Sequence, residues 1–359
     1  MSVRVAVVGL GWAGRELWLP LLREHTGFDV VAVVDTEPAA RAAFDGTPGV
    51  PVHPSVEALT ARTVDLAVVA VPNHLHAEVA GALLQKGISV FLEKPVCLTS
   101  DEADTLAAAE RRGGGMLLAG SAAPYRGDVE ALARLVPDLG RIRHVDLSWV
   151  RARGVPQAGG WFTRRSKAGG GVLFDLGWHL FDTLTSLLGP ARFAQVVGVT
   201  SDDFVNGGAW GATWRQDRPV ADAVGDVEDT ARGFFVRDDG VSVSLCAGWA
   251  SHEALDVSRI QVTGSAGTAE LRCTFGFSPD RHPRSELTLT REGATTSIPV
   301  PDEPIGYEYR RQLDGLAVIL TEPDNRGRAI GEARTTVRGI EGFYASARSP
   351  HARKVVGIA

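Results

Sequence analysis

Apolar positions along this chain follow two rhythms. Up to about residue 120 they come in short, nearly continuous runs, at 3–8, 30–34, 65–71, 88–92 and 116–120. Runs without alternation are strands buried on both faces, as in a parallel sheet covered by helices. Between them, 15–23, 77–86 and 100–112 read as helices, with Pro20 a candidate kink and Ser100 and Asp101 candidate caps. From residue 121 the pattern changes. A helix at 128–135 precedes longer, alternating segments at 142–150, 193–199, 230–236, 241–249, 258–263, 268–272 and 286–291. These predict an open, mostly antiparallel sheet carrying the opening helix on one face. Two helices, 306–320 and 331–347, complete it. The expected fold is α/β, with one domain over 1–120 and a second, α+β domain over 121–359.

One helical stretch, 169–182, has a pattern of its own. Gly169, Gly170 and Gly171 lead into a wheel with Leu173, Leu176, Leu180, Leu184 and Leu187 on one face. Asp175, His179 and Asp182 lie almost opposite, spaced to stack along one line. Phe174, Trp178 and Phe181 fill the flank. Beside three aromatics the polar line reads as facing a cleft; a solvated surface face is the alternative.

The first strand runs into Gly9-Leu10-Gly11-Trp12-Ala13-Gly14, then a helix, a strand and Asp35, 21 residues after Gly14. This is the context a dinucleotide site needs. Gly9 allows the tight turn, Gly11 lets backbone approach a pyrophosphate, and Gly14 lets helix pack on strand. The helix N-terminus, with Trp12 and Ala13, offers N–H groups to the phosphates. Asp35 can accept bonds from both adenosine ribose hydroxyls and repels a 2′-phosphate. No Arg adjoins it in Thr36-Glu37-Pro38, so NAD is expected over NADP. Pro72, Asn73, His74 and His76 form the loop where open sheets bind ligands. His74 and His76 read as loop residues under the cofactor rather than metal ligands, since no third ligand is near. Glu93-Lys94-Pro95 ends the next strand, and a cis bond before Pro95 would aim Lys94 inward.

Composition narrows the partners. A net charge of -6 without a basic block argues against nucleic acid and anionic membranes. No apolar run approaches a membrane span. Met1 to Arg4 run straight into a strand without a leader pattern. The odd, scattered Cys97, Cys246 and Cys273 fit a reducing cytoplasm and form no metal pattern.

Taken together, these motifs resemble the Gfo/Idh/MocA oxidoreductases, the family of glucose–fructose oxidoreductase and inositol dehydrogenase. The marks are the glycine motif, Pro72 with His76, Glu93-Lys94-Pro95, Tyr125-Arg126, the 169–182 stretch, and Val227-Glu228-Asp229-Thr230. They span nearly the whole chain. The resemblance implies a Rossmann domain plus an α/β domain whose open sheet often joins subunits, giving a homodimer or homotetramer. Lys94, Asp175 and His179 match the family's catalytic positions. It implies cofactor contacts from Gly9, Gly11, Trp12, Ala13, Gly14, Asp35, Pro72, Asn73, His76, Glu93 and Lys94. Substrate contacts would come from Lys94, Tyr125, Arg126, Trp161, Asp175, His179 and Trp214. Trp18 departs from the family's usual His before Leu-Pro, and Ala122-Ala123-Pro124 stands where an Asn is common.

The implied activity is NAD-dependent oxidation of a secondary hydroxyl of a sugar, amino sugar or cyclitol, or the reverse reduction, with a place in antibiotic aminosugar biosynthesis. Alternatives on this scaffold are an NAD-dependent glycosidase working by transient oxidation and a non-catalytic NAD-binding regulator. In the family, 201–230 lies near the substrate. Its acids Asp202, Asp203, Asp217, Asp222, Asp226, Glu228 and Asp229 face only Arg215 and Arg218, beside Trp210 and Trp214. They suggest a neutral or amine-bearing sugar; a solvated acidic loop is the alternative.

Overall fold

The computed structural model describes residues 2–44, 49–214 and 224–349. Arg215, Asp217, Arg218 and Asp222 of the acidic segment lie outside them. The chain divides into two units, Met1–Ser121 with Tyr309–Arg334, and Ala122–Glu308 with Thr335–Ala359.

The first unit is a six-stranded parallel sheet: β1 (Val3–Val8), β2 (Phe28–Val34), β3 (Val52–His53), β4 (Leu66–Val69), β5 (Ser89–Glu93) and β6 (Leu117–Gly120). Its order, β3-β2-β1-β4-β5-β6, is that of a Rossmann fold, whose ligand crevice opens at the carboxyl ends of the strands. The continuous apolar runs are buried on both faces, with Val5, Val7, Leu66, Val68 and Phe91 inaccessible. After β1 the chain winds as a π-helix, Ala13–Trp18, before the α-helix Leu19–Glu24. Pro20, which lacks an N–H, falls in the α-helix's first turn, where none is needed. The helix Ser100–Gly113 is capped by Thr99 rather than Ser100 or Asp101, because the Thr99 hydroxyl accepts from Glu102 N at 3.1 Å. Glu102 returns the favour by accepting from Leu98 N at 2.6 Å.

The C-terminal helices do not belong to the second unit alone. In the helix Tyr307–Ile319, Gln312 donates to the carbonyls of Ala119 and Ser121 at the end of β6, at 2.9 and 3.3 Å. Tyr309 meets Trp18 edge-on, Arg326 donates to the Gly114 and Gly115 carbonyls, and Arg334 pairs with Asp104. These contacts draw Tyr309–Arg334 into the first unit.

The second unit is built on an eight-stranded sheet: β7 (Ile142–Val150), β8 (Phe193–Ser201), β9 (Thr230–Arg237), β10 (Ser242–Gly248), β11 (Val257–Gly264), β12 (Thr268–Cys273), β13 (Glu286–Arg291) and β14 (Ala294–Ile298). The order is β14-β13-β12-β11-β7-β10-β9-β8, and among the described strands of this sheet only β7 and β10 pair parallel. Helices Gly127–Leu135 and Trp178–Leu188 and the end of Arg328–Arg348 pack on this unit's sheet. Phe343 of the last helix fills the space left by Gly198 and Gly233, where an added Cβ would lie 2.4 and 2.7 Å from its ring. The alternate positions Val197, Val199 and Phe234 stay exposed. β14 was not expected, since Thr295, Thr296 and Ser297 give it no apolar alternation.

Candidate active site

The nucleotide-binding turn of the first unit uses its three glycines for three reasons. Gly9 has φ +94°, a conformation side chains resist, and an added Cβ would lie 2.5 Å from the Ala70 carbonyl. At Gly14 it would lie 1.9 Å from the Gly9 carbonyl. At Gly11 it would meet nothing within 4 Å, so this position leaves an open cradle. Trp12, 46% exposed, stands beside it at the helix start. The Asp35 carboxylate accepts from Leu10 N at 2.7 Å and Glu37 N at 2.8 Å, which locks the end of β2 to the glycine turn. Arg41, six residues on, donates to the Asp35 and Thr36 carbonyls at 2.8 Å each. A basic group therefore stands at this turn after all, one that adjacency in sequence did not reveal.

Two expected cofactor contacts have their polar atoms committed inside the protein. His76 is 1% exposed, with Nδ1 2.7 Å from the Pro95 carbonyl and Nε2 2.8 Å from that of Val71. It braces the loop after β4 against the turn after β5, and neither ring nitrogen is left for a metal. Burial pushes its pKa down to about 4, although both carbonyls favour the charged ring. Glu93 accepts from Trp18 Nε1 at 2.7 Å and from Lys94 N at 3.0 Å, and burial raises its pKa. Trp18 thus replaces the usual His with another N–H donor. Between these braces stands Lys94, half-buried, before a cis bond to Pro95. Pro72 is half-buried and Asn73 buried in the same loop.

In the second unit, the triple glycine lets two side chains come close. A Cβ at Gly170 would lie 2.0 Å from the Tyr344 hydroxyl, and one at Gly171 would lie 1.9 Å from the Glu228 carbonyl. Glu228, buried, accepts from Gly171 N (2.9 Å), Leu173 N (3.3 Å) and the Tyr344 hydroxyl (2.6 Å). It thereby caps a helix that opens in π winding, Leu173–Gly177, and continues as α, Trp178–Leu188. The α-helical wheel therefore does not hold over its first five residues. The face it singled out is nonetheless not a solvated one. Asp175 is 8% exposed and accepts from Trp249 Nε1 at 2.8 Å, at the end of β10. His179 is half-buried, its ring 5.5 Å from that of Trp149 at the end of β7. Phe174, Trp178 and Phe181 are buried and Asp182 half-buried.

The other expected substrate contacts fare differently. Tyr125, half-buried, closes a short turn, Ala123–Tyr125, that packs on the helix Trp178–Leu188. Arg126 is engaged twice by Asp128, at 3.0 and 2.6 Å, and lies over the Phe275 ring. That pairing makes it a brace within the unit. Trp161 packs on Phe162, and Trp214 lies under the Arg151 guanidinium at 5.2 Å. Three of the acids in 201–230 hold backbone. Asp226 accepts from Arg165 N, Asp229 from Phe204 N and Val205 N, and Glu228 caps the helix. These three therefore have a structural duty in the fold. Trp149, Arg151 and Trp249 had not been singled out. The signal for the first two was the Trp-x-Arg spacing of 149–151 at the end of β7, while nothing in the sequence marked Trp249.

Comparison with known proteins agrees with this architecture. Residues 3–121 match the oxidoreductase family with an NAD-binding Rossmann fold, and residues 134–270 match the GFO/IDH/MocA C-terminal domain. A protein of Amycolatopsis mediterranei (strain S699), provisionally named a UDP-kanosamine synthase oxidoreductase subunit, is 71% identical over 356 residues, 99% of each chain. D-glucoside 3-dehydrogenase of Escherichia coli (strain K12) is 29% identical over 209 residues, 56% of this chain and 58% of that one. The crystal structure of GenD2 from gentamicin A biosynthesis, in complex with NAD, superposes with a TM-score of 0.74 at 24% identity, covering 96% of this chain and 94% of that one. Among the described residues no helix is long and apolar enough to cross a membrane. With both domain matches and a near-full-length relative in hand, the chain belongs to the Gfo/Idh/MocA family and is an oxidoreductase.

Proposed function

We propose that this chain oxidises a secondary hydroxyl of a UDP-linked hexose, the 3-hydroxyl of UDP-glucose, to a ketone with NAD, and so supplies a keto sugar nucleotide for amination by a partner subunit. The 71% identity to the provisionally named UDP-kanosamine synthase subunit carries the reading. Kanosamine is a glucose bearing its amine at C3, and a ketone there is the natural precursor. The E. coli relative, named for 3-dehydrogenation of glucosides, supports the position. This reading takes its substrate from the relative rather than from the acidic segment, three of whose acids hold backbone.

NAD, when bound, supplies the acceptor for the hydride leaving the carbinol carbon. The open cradle at Gly11 and the anchored Asp35 are the features that fit it. His179 takes the hydroxyl proton as general base. Asp175, held by Trp249, orients the imidazole and stabilises its cation. Lys94 stabilises the developing alkoxide. The exposed Val197, Val199 and Phe234 support assembly of a homodimer or homotetramer through this sheet.

The test is incubation with UDP-glucose and NAD, with hydroxylamine to trap the ketone. NADH and the UDP-3-ketoglucose oxime are the expected products. Oxidation of plain sugars or cyclitols but of no UDP-hexose would overturn the reading.

A further inference from the structure

We infer that the exit of β7, from Trp149 to Ala158, seats the whole length of a pyrimidine nucleoside diphosphate sugar. The hexose lies beside Trp149, the diphosphate at Arg151 and Arg153, and the base in a cavity at the far end. This inference rests on the sugar-nucleotide reading above and assigns the residues that would make it so.

The chain supplies these groups in the order of the ligand's own parts. Val145, Leu147 and Trp149 form the buried register of β7, and the chain past its end at Val150 carries Arg151, buried, Arg153, exposed, and Val155, buried. Trp149 is 3% exposed, yet its Nε1 has no acceptor among the described residues. A buried N–H left unpaired is costly, and an oxygen ligand would relieve that cost. Its ring lies 5.5 Å from the His179 imidazole, so the ligand oxygen it awaits belongs near the reacting hydroxyl.

Arg151 comes next. It is 8% exposed, with its guanidinium carbon 5.1 Å from the Trp149 ring and 5.2 Å from the Trp214 ring. Two indoles hold the guanidinium, and a guanidinium so oriented recognises an oxyanion through its in-plane fork. Asp256, the neighbouring acid, accepts from Ala152 N at 2.7 Å; burial raises its pKa and the charge of Arg151 opposes that rise, so the guanidinium already has one acid nearby. Arg153 is exposed and lies 4.3 Å over the Trp210 ring, adding a second cation.

Beyond the cations, the loop carrying Trp210 is tied alongside. The Trp210 carbonyl accepts from Gly154 N and Val155 N, and the Val155 carbonyl accepts from Ala212 N. Between the two loops is a cavity of about 140 Å³, lined among others by Val155, Pro156, Gln157, Asn206, Gly208 and Ala212. Among the described residues no charged side chain lines it. Amides and flat apolar surface suit an uncharged heterocycle, and the volume suits one ring with its substituents.

The experiment compares kcat/KM for UDP-glucose with that for methyl glucoside, with NAD, in the wild type and in Arg153→Gln and Gly208→Leu. Arg153 is exposed, and a Cβ at Gly208 meets nothing within 4 Å, so neither change strains the fold. The ratio should fall about tenfold or more in each variant, the scale of one charge-assisted contact. Inhibition by free UDP should weaken in parallel. A wild type that oxidises UDP-glucose, with both variants keeping its ratio, would overturn this subsite and leave the proposed function standing. A wild type that oxidises methyl glucoside but not UDP-glucose would overturn the function and the subsite together.

Discussion

Lys94 and Asp175 are held by different means in their two units. Lys94 sits on a turn whose neighbours are braced by side chains: Trp18 on Glu93, and His76 between the Val71 and Pro95 carbonyls. Asp175 sits on a helix seated by missing side chains. Gly170 and Gly171 let Tyr344 and Glu228 approach, and Trp249 then fixes the carboxylate. In the first unit glycine also serves a different end, since Gly11 leaves space open while Gly171 is filled by protein. The same residue type thus prepares room for a ligand at Gly11 and close packing at Gly171.

The sharpest way to break this comparison is to remove the reacting groups themselves. His179→Ala should lower kcat about 10²–10⁴-fold. Lys94→Ala should lower it about 10²–10³-fold, without rescue by Lys94→Arg, whose planar fork does not match an ammonium. Near wild-type kcat in both alanine variants would show that the chemistry lies elsewhere. Trp249→Phe keeps the ring and deletes the donor to Asp175. Losing a hydrogen bond to a buried charged group costs about 1.5–3 kcal/mol, so kcat should fall tenfold or more while KM for NAD holds. Equal loss in both parameters would mean that Trp249 supports the fold and does not position Asp175.

The two glycines offer a milder contrast. Gly171→Ala should destabilise the protein by about 3 kcal/mol, because its methyl would overlap the Glu228 carbonyl. Gly11→Ala should leave the melting temperature nearly unchanged and raise KM for NAD. Calorimetry and initial rates separate the two, and a reversed pattern would refute the contrast. The smallest effect concerns cofactor choice. Asp35→Ala should narrow a preference for NAD over NADP, aided by Arg41 at the same turn. Equal wild-type efficiency with both cofactors would remove the premise.

What could be read from sequence followed the reach of the contacts. Gly9 to Gly14 and Asp35 lie within one βαβ segment, so spacing alone located the turn and its acid. Most strands of both sheets were legible for the same local reason, continuous runs in one and alternation in the other, while the short β3 and the polar β14 were not. The partners of Asp175 were not. Trp249 is 74 positions from it, and Tyr344 is 116 from Glu228, distances at which no periodicity operates. The structural duties of the acids were hidden for a related reason. Asp226, Glu228 and Asp229 accept from backbone N–H groups of Arg165, Gly171 and Phe204, none of them near in sequence. The π winding at Leu173–Gly177 likewise leaves no mark in a helical wheel.

The return of Tyr309–Arg334 to the first unit sets a clock on synthesis. On the ribosome the six parallel strands are complete once Gly120 emerges. Gln312, which holds the β6 carbonyls, and Arg334, which pairs with Asp104, follow some two hundred residues later. At about 5–20 residues per second, the nascent unit waits roughly 10–40 s for its last segment. Through that interval the end of β6 is open to the wrong neighbours, so a polypeptide stopped before residue 334 should depend on chaperones more than the full chain does.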